Sequence, residues 1–412
     1  MIRLNADERK IALLIAVAAL GYFVDLYDLL LFSAIRKESL HDIGISDIDS
    51  LSIGLGLLNW QMVGLLIGAV CWGIIGDKKG RVTILFGSIL IYSIANLLNA
   101  HVQTILQYEW LRFFAGFGLA GELGAGITLV TEIMPKEKRG IGTTIIGGFG
   151  LLGAVVASLI GLEFGWRNAF SFGGYMGLAL LVLRYFASES KLFEQLVHKK
   201  QVSRGDILLF FKPHNFPKRL LKLTACVLVG APVFFVVGLL ITGAPEFGKV
   251  LGVNPIPQAG KAVMFCYLGM STGDIICGVI SQYLKSRKKA LLFFAILSGI
   301  TISIYLYIPV SDISLFYWKC GLVGFGVGFW VLINTNTSEQ FGTNLRATVT
   351  TLSPNLIRAL LIPIAALFEE LKNYYDLITT GTIIGSLCFL ASIISIYCLE
   401  ETFQKDLDYN EE

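Results

Sequence analysis

The chain has 412 residues, of which 55% are hydrophobic and only 15% are charged, and its mean hydropathy is +0.70. Soluble globular proteins carry about 25% charged residues, so this composition excludes an ordinary soluble domain and indicates an integral membrane protein. The net charge of +3 is too small to indicate a nucleic-acid partner, and the basic residues are spread over short loops.

The cysteines and histidines show no metal-binding pattern. All seven cysteines lie within apolar segments, without a Cys-x-x-Cys pair, at positions 71, 226, 266, 277, 320, 388 and 398. The four histidines fall in loops or at the ends of apolar segments, at positions 41, 101, 198 and 214. We therefore expect buried, inert thiols, with no metal site and no cofactor.

Apolar segments of about 20 residues, the length that spans a bilayer as a helix, recur along the chain. Twelve are present, at 10–36, 51–76, 82–100, 105–134, 141–163, 168–187, 220–243, 258–284, 290–309, 313–338, 350–370 and 376–399. The sequence therefore predicts an all-α membrane protein of twelve transmembrane helices in two pseudo-twofold bundles of six. The predicted domains are an N-terminal bundle (1–187), a cytoplasmic linker (188–219), a C-terminal bundle (220–399) and a cytoplasmic tail (400–412).

The distribution of basic residues predicts the orientation. The N-terminus, every second loop after it and the tail together hold 24 of the 33 Lys and Arg residues. Because basic loops remain on the cytoplasmic side, we expect both termini to be cytoplasmic, in a multi-pass protein of the cell (inner) membrane.

A short charged pattern occurs twice in the chain. Glu132 and Arg139 are separated by seven residues, as are Glu339 and Arg346, and the two copies lie 207 residues apart. Since half of the chain is 206 residues, the spacing indicates an internal duplication.

Charged residues within the apolar segments are the first candidates for a transport site, because charge inside a bilayer is costly and usually functional. Asp25 and Asp28 share one face of the first helix, and Arg112 on the fourth helix lies at a similar depth. We predict an Asp28–Arg112 pair. An uncompensated carboxylate there prefers its proton, whereas near Arg112 it ionises, so a substrate anion that competes for Arg112 would couple protonation to binding.

Other polar residues within the segments are weaker candidates. Glu122 follows Arg112 on the fourth helix and is interpreted either as a proton relay or as a packing residue. Asp274 and Arg358, within the eighth and eleventh segments, are predicted to form a polar counterpart in the second bundle. Possible cavity-lining groups, each of which could equally make one interhelical hydrogen bond, are Tyr22, Gln61, Asn334, Asn336 and Asn59.

The loop between the second and third segments carries a recognisable motif. It reads Gly73-Ile-Ile-Gly76-Asp77-Lys-Lys-Gly80-Arg81, and it resembles the G-x-x-x-D-x-x-G-R signature of the major facilitator superfamily. The second-half equivalent begins at Gly278, has Gln282 in place of the Asp and lacks the Gly-Arg pair, so no role is assigned to it. The resemblance covers essentially the whole chain and implies a secondary transporter.

Further residues resemble particular branches of that family. The fourth segment, with Arg112, Gly116-Phe117, Gly121-Glu122, Glu132, Pro135 and Arg139-Gly140, is similar to the pattern of metabolite:proton symporters. Tyr27-Asp28 resembles the first-helix motif of that branch and of phosphate:proton symporters. Glu189-Ser190 after the sixth segment and Glu401-Thr402 after the twelfth resemble sugar-porter-like patterns.

The resemblance also implies a gate at the cytoplasmic end. In the family, acidic and basic residues there form salt bridges that hold the halves together while the cavity is open to the outside. The matching residues of this sequence are Asp77, Arg81, Glu132, Arg139, Glu189, Glu339, Arg346 and Glu401. The structural alternative is that they set topology and cap helices.

The predicted function is proton-coupled uptake of a small organic anion or zwitterion such as a carboxylate, betaine or amino acid, by a protein expected to be monomeric. Its partners would be the solute, protons and the lipid bilayer. An exporter of drug-like or siderophore-like compounds is the alternative, although the fifth segment lacks the Gly-Pro motif of many exporters. An intramembrane aspartyl protease is a distant one, because Tyr27-Asp28 and Gly273-Asp274 resemble its paired motifs only in part.

Overall fold

The computed structural model describes residues 6–46, 50–79, 81–122, 134, 139–184 and 216–405. The described part of the chain before the predicted linker, here called the first half, forms six helices. These are α1 (Ala6–Asp42), α2 (Ser50–Lys79), α3 (Arg81–Asn99), α4 (Ile105–Leu119), α5 (Arg139–Phe164) and α6 (Trp166–Arg184).

The part after residue 215 is called the second half, and several of its helices are interrupted. Its α-helices are α7 (Phe216–Val229), α8 (Ala231–Phe235), α9 (Ala244–Val250), α10 (Ala259–Tyr283), α11 (Arg287–Tyr307), α12 (Ile313–Gly326), α13 (Trp330–Gln340), α14 (Thr343–Ala359), α15 (Leu361–Leu371) and α16 (Leu377–Cys398). A π-helical segment, Val236–Ile241, continues α8.

The described helices coincide in position with the twelve predicted segments. Eight helical spans are long and apolar enough to cross a membrane, and a ninth is formed by the bent pair of α7 and α8 with its π-helical continuation. The other three predicted segments correspond to α3, α4 and α6, whose described residues do not meet the requirements of length and apolar composition together. The chain is therefore an all-helical, multi-pass membrane protein.

Three predicted spans are interrupted near their middle, which the apolar pattern did not indicate, and one of them is the eleventh, interrupted at Leu360 between α14 and α15. The seventh bends by 42° between α7 and α8, where Gly230 precedes Pro232. Pro232 lacks a backbone N–H, so it starts a new helix more readily than it continues one. The tenth breaks between α12 and α13, where a Cβ on Gly328 would lie 2.6 Å from the Cα of Gly273. The break brings this backbone against α10.

Glycine allows neighbouring helices within each half to touch along their backbones. A Cβ on Gly153 of α5 would lie 2.0 Å from the Phe23 carbonyl oxygen of α1. A Cβ on Gly324 of α12 would lie 1.9 Å from the Cys266 carbonyl oxygen of α10. Lipid provides little hydrophobic drive for helix association, so this close van der Waals contact holds the bundles together.

The two halves meet through α2 with α14 and α5 with α10. The Ser271 hydroxyl of α10 donates a 2.7 Å hydrogen bond to the Gly148 carbonyl of α5. A Cβ on Gly73 of α2 would lie 3.4 Å from the Cα of Thr348 in α14. We call the end of the bundle at the start of α1 and the end of α16 the terminal end, and the opposite end the distal end.

We expect Gly153→Ala to destabilise the protein, because the added methyl group cannot fit between α5 and the backbone of α1. Overpacking of this kind typically costs about 1–3 kcal/mol. Thermal unfolding in detergent measures the effect. Gly56→Ala is the matched control, since no heavy atom lies within 4 Å of a Cβ at Gly56. An equal effect of the two substitutions would contradict the packing argument.

Candidate functional site

A small cavity lies at the centre of the bundle, between the two halves. Its lining combines α1 and Leu151 of α5 with residues of the second half: Tyr22, Leu26, Leu29, Leu151, Val233, Phe234, Val237, Tyr267, Met270, Trp330 and Arg358. The cavity measures about 10 Å³, which is roughly the space of one water molecule. In this conformation the halves have closed on the cavity.

A buried ion pair joins the halves beside this cavity. The Arg358 Nη2 atom of α14 lies 3.2 Å from the Asp25 Oδ2 atom of α1, and both side chains are at most 1% exposed. Arg358 also donates a 3.1 Å hydrogen bond through Nη1 to Asn355 Oδ1. Its Nε atom has no hydrogen-bond partner among the described residues. The guanidinium is therefore placed at the cavity with unused donor capacity.

Hydrogen bonds around this pair also cross between the halves. The Trp330 indole N–H of α13 donates to the Tyr22 hydroxyl of α1 at 2.6 Å. The Asn355 amide of α14 donates to the Ala120 carbonyl at the end of α4 at 3.0 Å. The Arg358 guanidinium lies 5.9 Å from the centre of the Trp330 ring. Any separation of the halves at this level has to break the two hydrogen bonds.

The predicted Asp28–Arg112 pair is wrong in this structure. No nitrogen of Arg112 lies within 4.0 Å of the Asp28 carboxylate; Arg112 instead donates from Nη2 to Gln61 Oε1, and its guanidinium lies 5.2 Å from the Phe32 ring centre. Asp25, the other aspartate on the predicted shared face, pairs across the halves. The spacing placed both carboxylates on α1, but neighbouring helices decide which cation each one meets.

Asp28, Arg112 and Gln61 form a separate polar cluster inside the first half. None of them lines the central cavity, and each is at most 1% exposed. A Cβ on Gly173 of α6 would lie 2.4 Å from Asp28 Oδ1, so glycine at that position makes room for the carboxylate. Neither Asp28 oxygen has a hydrogen-bond partner within the described part of the chain.

The remaining sequence candidates occupy three separate places. Glu122, just after α4, accepts a 2.7 Å hydrogen bond from the Ser88 hydroxyl of α3. Asp274 of α10 accepts a 3.1 Å hydrogen bond from the Val331 N–H in the first turn of α13, and it does not pair with Arg358 as predicted. Asn334 donates to the Trp330 carbonyl within its own helix. Asp274 thus accepts a hydrogen bond from a backbone N–H that has no partner within its own helix, at the start of α13.

A second charged cluster lies at the terminal end of the second half. Arg287, at the start of α11, contacts Glu339 of α13 with two nitrogen–oxygen distances of 3.3 and 3.2 Å. Both side chains are buried. The Thr402 hydroxyl donates to Glu339 Oε2 at 2.8 Å. This pair therefore ties α11, α13 and the segment after α16 together.

Glu401 belongs to the same cluster, and its carboxylate accepts hydrogen bonds from the start of α11 and from the segment after α16. It accepts hydrogen bonds from the Ser286 hydroxyl and, at 2.8 Å, from the Arg287 backbone N–H. Partial burial is the largest single influence on the Glu401 pKa and raises it, but the hydrogen bonds together outweigh burial and hold the pKa below its ordinary value. The ionised carboxylate is the form that this site stabilises.

The gate residues implied by the sequence are only partly described. Glu132 and Glu189 lie outside the described residues, as do the side chains of Asp77, Arg81 and Arg139. Arg346 donates to the Ser338 carbonyl at 3.2 Å, and the ion pair of Glu339 is with Arg287. The contacts that the structure does describe at this end hold helices of the second half to one another.

The depressed pKa of Glu401 predicts a pH dependence of stability. A carboxylate whose folded-state pKa is below its unfolded value contributes stability above the unfolded pKa, and this stability is lost as pH falls through the folded value. The ordinary value is 4.5, so the contribution is complete near neutral pH and disappears below about pH 4.5. We expect the melting-temperature difference between the wild type and Glu401→Gln to narrow as detergent samples are acidified. A constant difference would contradict this expectation.

Three residues of these clusters were not singled out from the sequence. Trp330 and Asn355 occur in uncharged stretches and gave no signal. Arg287 does not match the loop motif, because it lies nine residues after Gly278, whereas Arg81 lies eight residues after Gly73. Lys285, at the position of the motif glycine, has a backbone φ of +48°, which is the left-handed conformation that glycine usually supplies.

The sequence profile of the Major Facilitator Superfamily matches residues 11–366, which is most of the chain. The chain is 27% identical over 370 residues to the niacin transporter NiaP of Acinetobacter baylyi, which covers 81% of each chain. It is 27% identical over 383 residues to the sialic acid transporter NanX of Escherichia coli, which covers 91% of this chain and 90% of the relative.

The fold also matches a solved structure. The proton:xylose symporter XylE, bound to 6-bromo-6-deoxy-D-glucose, superposes with a TM-score of 0.75 over 97% of this chain and 98% of that one. At 16% sequence identity this similarity concerns the fold alone. The family profile and these relatives describe transporters and not enzymes. No group of three or more His, Cys, Asp or Glu residues suited to a metal ion occurs in the described ranges.

Proposed function

Because the chain belongs to the Major Facilitator Superfamily and has its twelve-helix architecture, we propose that it imports a small organic acid or zwitterion together with a proton, by alternating access. The observation that carries this proposal is the Asp25–Arg358 ion pair, which is buried, joins the halves and adjoins the central cavity. Arg358 would bind the solute carboxylate, and Asp25 would accept the proton.

Charge balance explains why the two events would be linked. In the empty state Asp25 and Arg358 neutralise each other. If a solute carboxylate takes the place of Asp25 at the guanidinium, Asp25 loses the positive charge of Arg358, and a buried carboxylate that loses its cation is unfavourable unless it gains a proton. The loaded site is then neutral again, with a protonated Asp25 and an Arg358–carboxylate pair. Both neutral states can be enclosed at low cost, whereas a site with only one of the two ligands cannot.

The geometry of Arg358 favours a carboxylate as ligand. A guanidinium binds a carboxylate through two parallel hydrogen bonds, and the Nε atom of Arg358 has no hydrogen-bond partner among the residues that the structure describes. The relatives NiaP and NanX are named for niacin and sialic acid, which are both organic acids. We take this as support for the class of solute and not for either compound.

The other charged groups would have supporting roles. We propose that Asp28, one helical turn from Asp25 on α1, passes protons to it together with Glu122. The Arg287–Glu339 pair and Glu401 would hold the terminal end of the second half rigid as it moves. Following the distribution of basic residues, the terminal end would face the cytoplasm and the distal end would face outward.

Transport into proteoliposomes tests the proposal. Purified protein is reconstituted and exposed to a pH gradient, acidic outside, with a panel of radiolabelled acids that includes nicotinate, benzoate and N-acetylneuraminate. We expect at least one acid to accumulate, accumulation to collapse with a protonophore, and a potassium diffusion potential to have little effect on a monocarboxylate. Liposomes that contain Arg358→Gln protein control for passive diffusion of the neutral acid. Accumulation that ignores the pH gradient would refute proton coupling.

A further inference from the structure

A second, larger cavity opens at the distal end between the halves, here called the distal vestibule. It is bounded by the last turns of α1, the start of α6, the start of α9 and the loop that precedes α10, and its volume is about 780 Å³. Binding sites for small molecules typically measure roughly 300–1,000 Å³. The vestibule is therefore large enough for a small organic solute, unlike the closed central cavity.

The vestibule wall contains a buried arginine with few partners. Arg36 of α1 lines the vestibule although only 4% of it is exposed. Its Nη2 atom lies 3.9 Å from Glu246 Oε1, which is too long for a hydrogen bond, and its Nη1 atom has no hydrogen-bond partner within the described ranges. The two N–H groups of Nη1 are buried unpaired, which is costly, and an oxyanion in the vestibule would satisfy them.

The surrounding structure fixes the position of Arg36. A Cβ on Gly54 of α2 would lie 2.4 Å from Arg36 Cδ and 2.9 Å from its Cγ, so the stem of the side chain packs directly on the glycine. At the mouth of the vestibule, Asp42 is engaged by Arg167 at 3.0 Å and does not compete for Arg36. The guanidinium is thus held in place from behind by α2 and is available from the vestibule.

The opposing carboxylate belongs to the other half of the protein. Glu246, at the start of α9, is partly exposed, and its Oε2 atom also has no hydrogen-bond partner in the part of the chain that the structure describes. Arg36 and Glu246 therefore form a long, weakly satisfied ion pair across the halves. An oxyanion that makes two direct hydrogen bonds would replace Glu246 at Arg36.

Helix geometry relates Arg36 to the central site. Eleven residues separate Asp25 from Arg36, and at 100° per residue this places the two side chains within about 20° of each other around α1. The rise of 1.5 Å per residue puts them about 16 Å apart. The two cross-half pairs, Asp25–Arg358 and Arg36–Glu246, therefore lie one above the other on the same face of α1.

We propose that the distal vestibule is a second solute-binding site, in which Arg36 binds the carboxylate of an organic acid in place of Glu246. The inference rests on the proposed function only for the class of solute. A solute held at Arg36 would then need to move about three helical turns along α1 to reach Arg358. Its arrival would also loosen the contact between α1 and α9, because Glu246 loses its partner.

Binding stoichiometry tests this proposal separately from transport. Equilibrium binding of radiolabelled nicotinate, benzoate and N-acetylneuraminate to purified, full-length protein in detergent is measured up to millimolar concentration. For the acid that binds, we expect two sites in the wild type, one in Arg36→Gln and one in Arg358→Gln. Lys249→Gln removes an exposed positive charge from the same helix as Glu246 without altering the vestibule, and it should retain both sites.

If Arg36→Gln retains both sites, or if no acid binds saturably to the wild type, the vestibule proposal is wrong. If Arg36→Gln loses one site but Arg358→Gln loses none, the vestibule is supported and the central site of the proposed function is refuted.

Glu246→Gln removes the carboxylate that competes with the solute for Arg36, so the affinity of the vestibule for the acid should rise several-fold. A gain in affinity cannot result from misfolding, and weaker or unchanged binding in Glu246→Gln would overturn the replacement of Glu246.

Discussion

Asp25→Asn is expected to abolish accumulation of the solute while leaving exchange of solute across the membrane intact. Asparagine resembles the protonated aspartate, so the variant can bind the solute carboxylate at Arg358 without a proton. The empty variant, however, contains an unpaired buried guanidinium. Removing one partner of a buried ion pair costs about 3–5 kcal/mol. At 1.4 kcal/mol per tenfold change this corresponds to roughly a 100- to 3,000-fold loss in the return of the empty carrier.

Two measurements on proteoliposomes check this prediction. Net uptake driven by a pH gradient should fall to the level of empty liposomes, whereas counterflow of labelled against unlabelled acid should remain. Asp28→Asn is the informative comparison, since Asp28 is equally buried on the same helix but lies off the cavity. If Asp25→Asn still accumulates solute, Asp25 is not the coupling carboxylate. If Asp28→Asn alone gives the loss of accumulation with retained exchange, the coupling role moves to Asp28.

Arg287→Met is expected to produce the largest loss of stability among single substitutions in the terminal cluster. The substitution leaves Glu339 buried beside Thr402 without its cation. The cost of such an uncompensated charge is about 3–5 kcal/mol. The double variant Arg287→Met/Glu339→Gln removes both charges and should recover most of this loss, because replacing a whole buried pair by neutral groups is often close to neutral.

Thermal unfolding of the purified proteins in detergent measures these differences. Lys288→Met provides the matched control, because Lys288 is more exposed and, within the described residues, its ammonium group donates to the backbone carbonyls of Tyr397 and Leu399. We expect it to have a small effect. A double variant less stable than Arg287→Met would show that the pair contributes more than the mutual neutralisation of two buried charges.

The element count could be predicted from the sequence because each membrane span must satisfy its own backbone hydrogen bonds, and only an apolar helix does so. This is why twelve apolar segments matched the described helices. The breaks after Val229, Gly326 and Ala359 were not predictable from hydropathy, which is an average over the residues of a span. The first coincides with Pro232, and the second brings Gly328 against Gly273 of a neighbouring helix.

The sequence predicted which charged residues are buried in the candidate site, but it did not predict which of them form ion pairs. The cost of charge in a bilayer singled out Asp25, Asp28, Arg112, Asp274 and Arg358, and all five are buried. The predicted pairs, Asp28 with Arg112 and Asp274 with Arg358, were wrong. Similar depth along two helices does not determine rotation about their axes, and rotation decides whether two side chains face each other.

The sequence by itself determined that the chain spans a membrane and which charges lie within its apolar segments, because hydropathy and the cost of burying charge are properties of single segments. Only the tertiary structure decided that Arg358 meets Asp25, that Arg287 meets Glu339 and that Arg36 borders a vestibule. These contacts join residues distant in sequence, and they depend on the relative rotation and separation of packed helices, which glycine positions set.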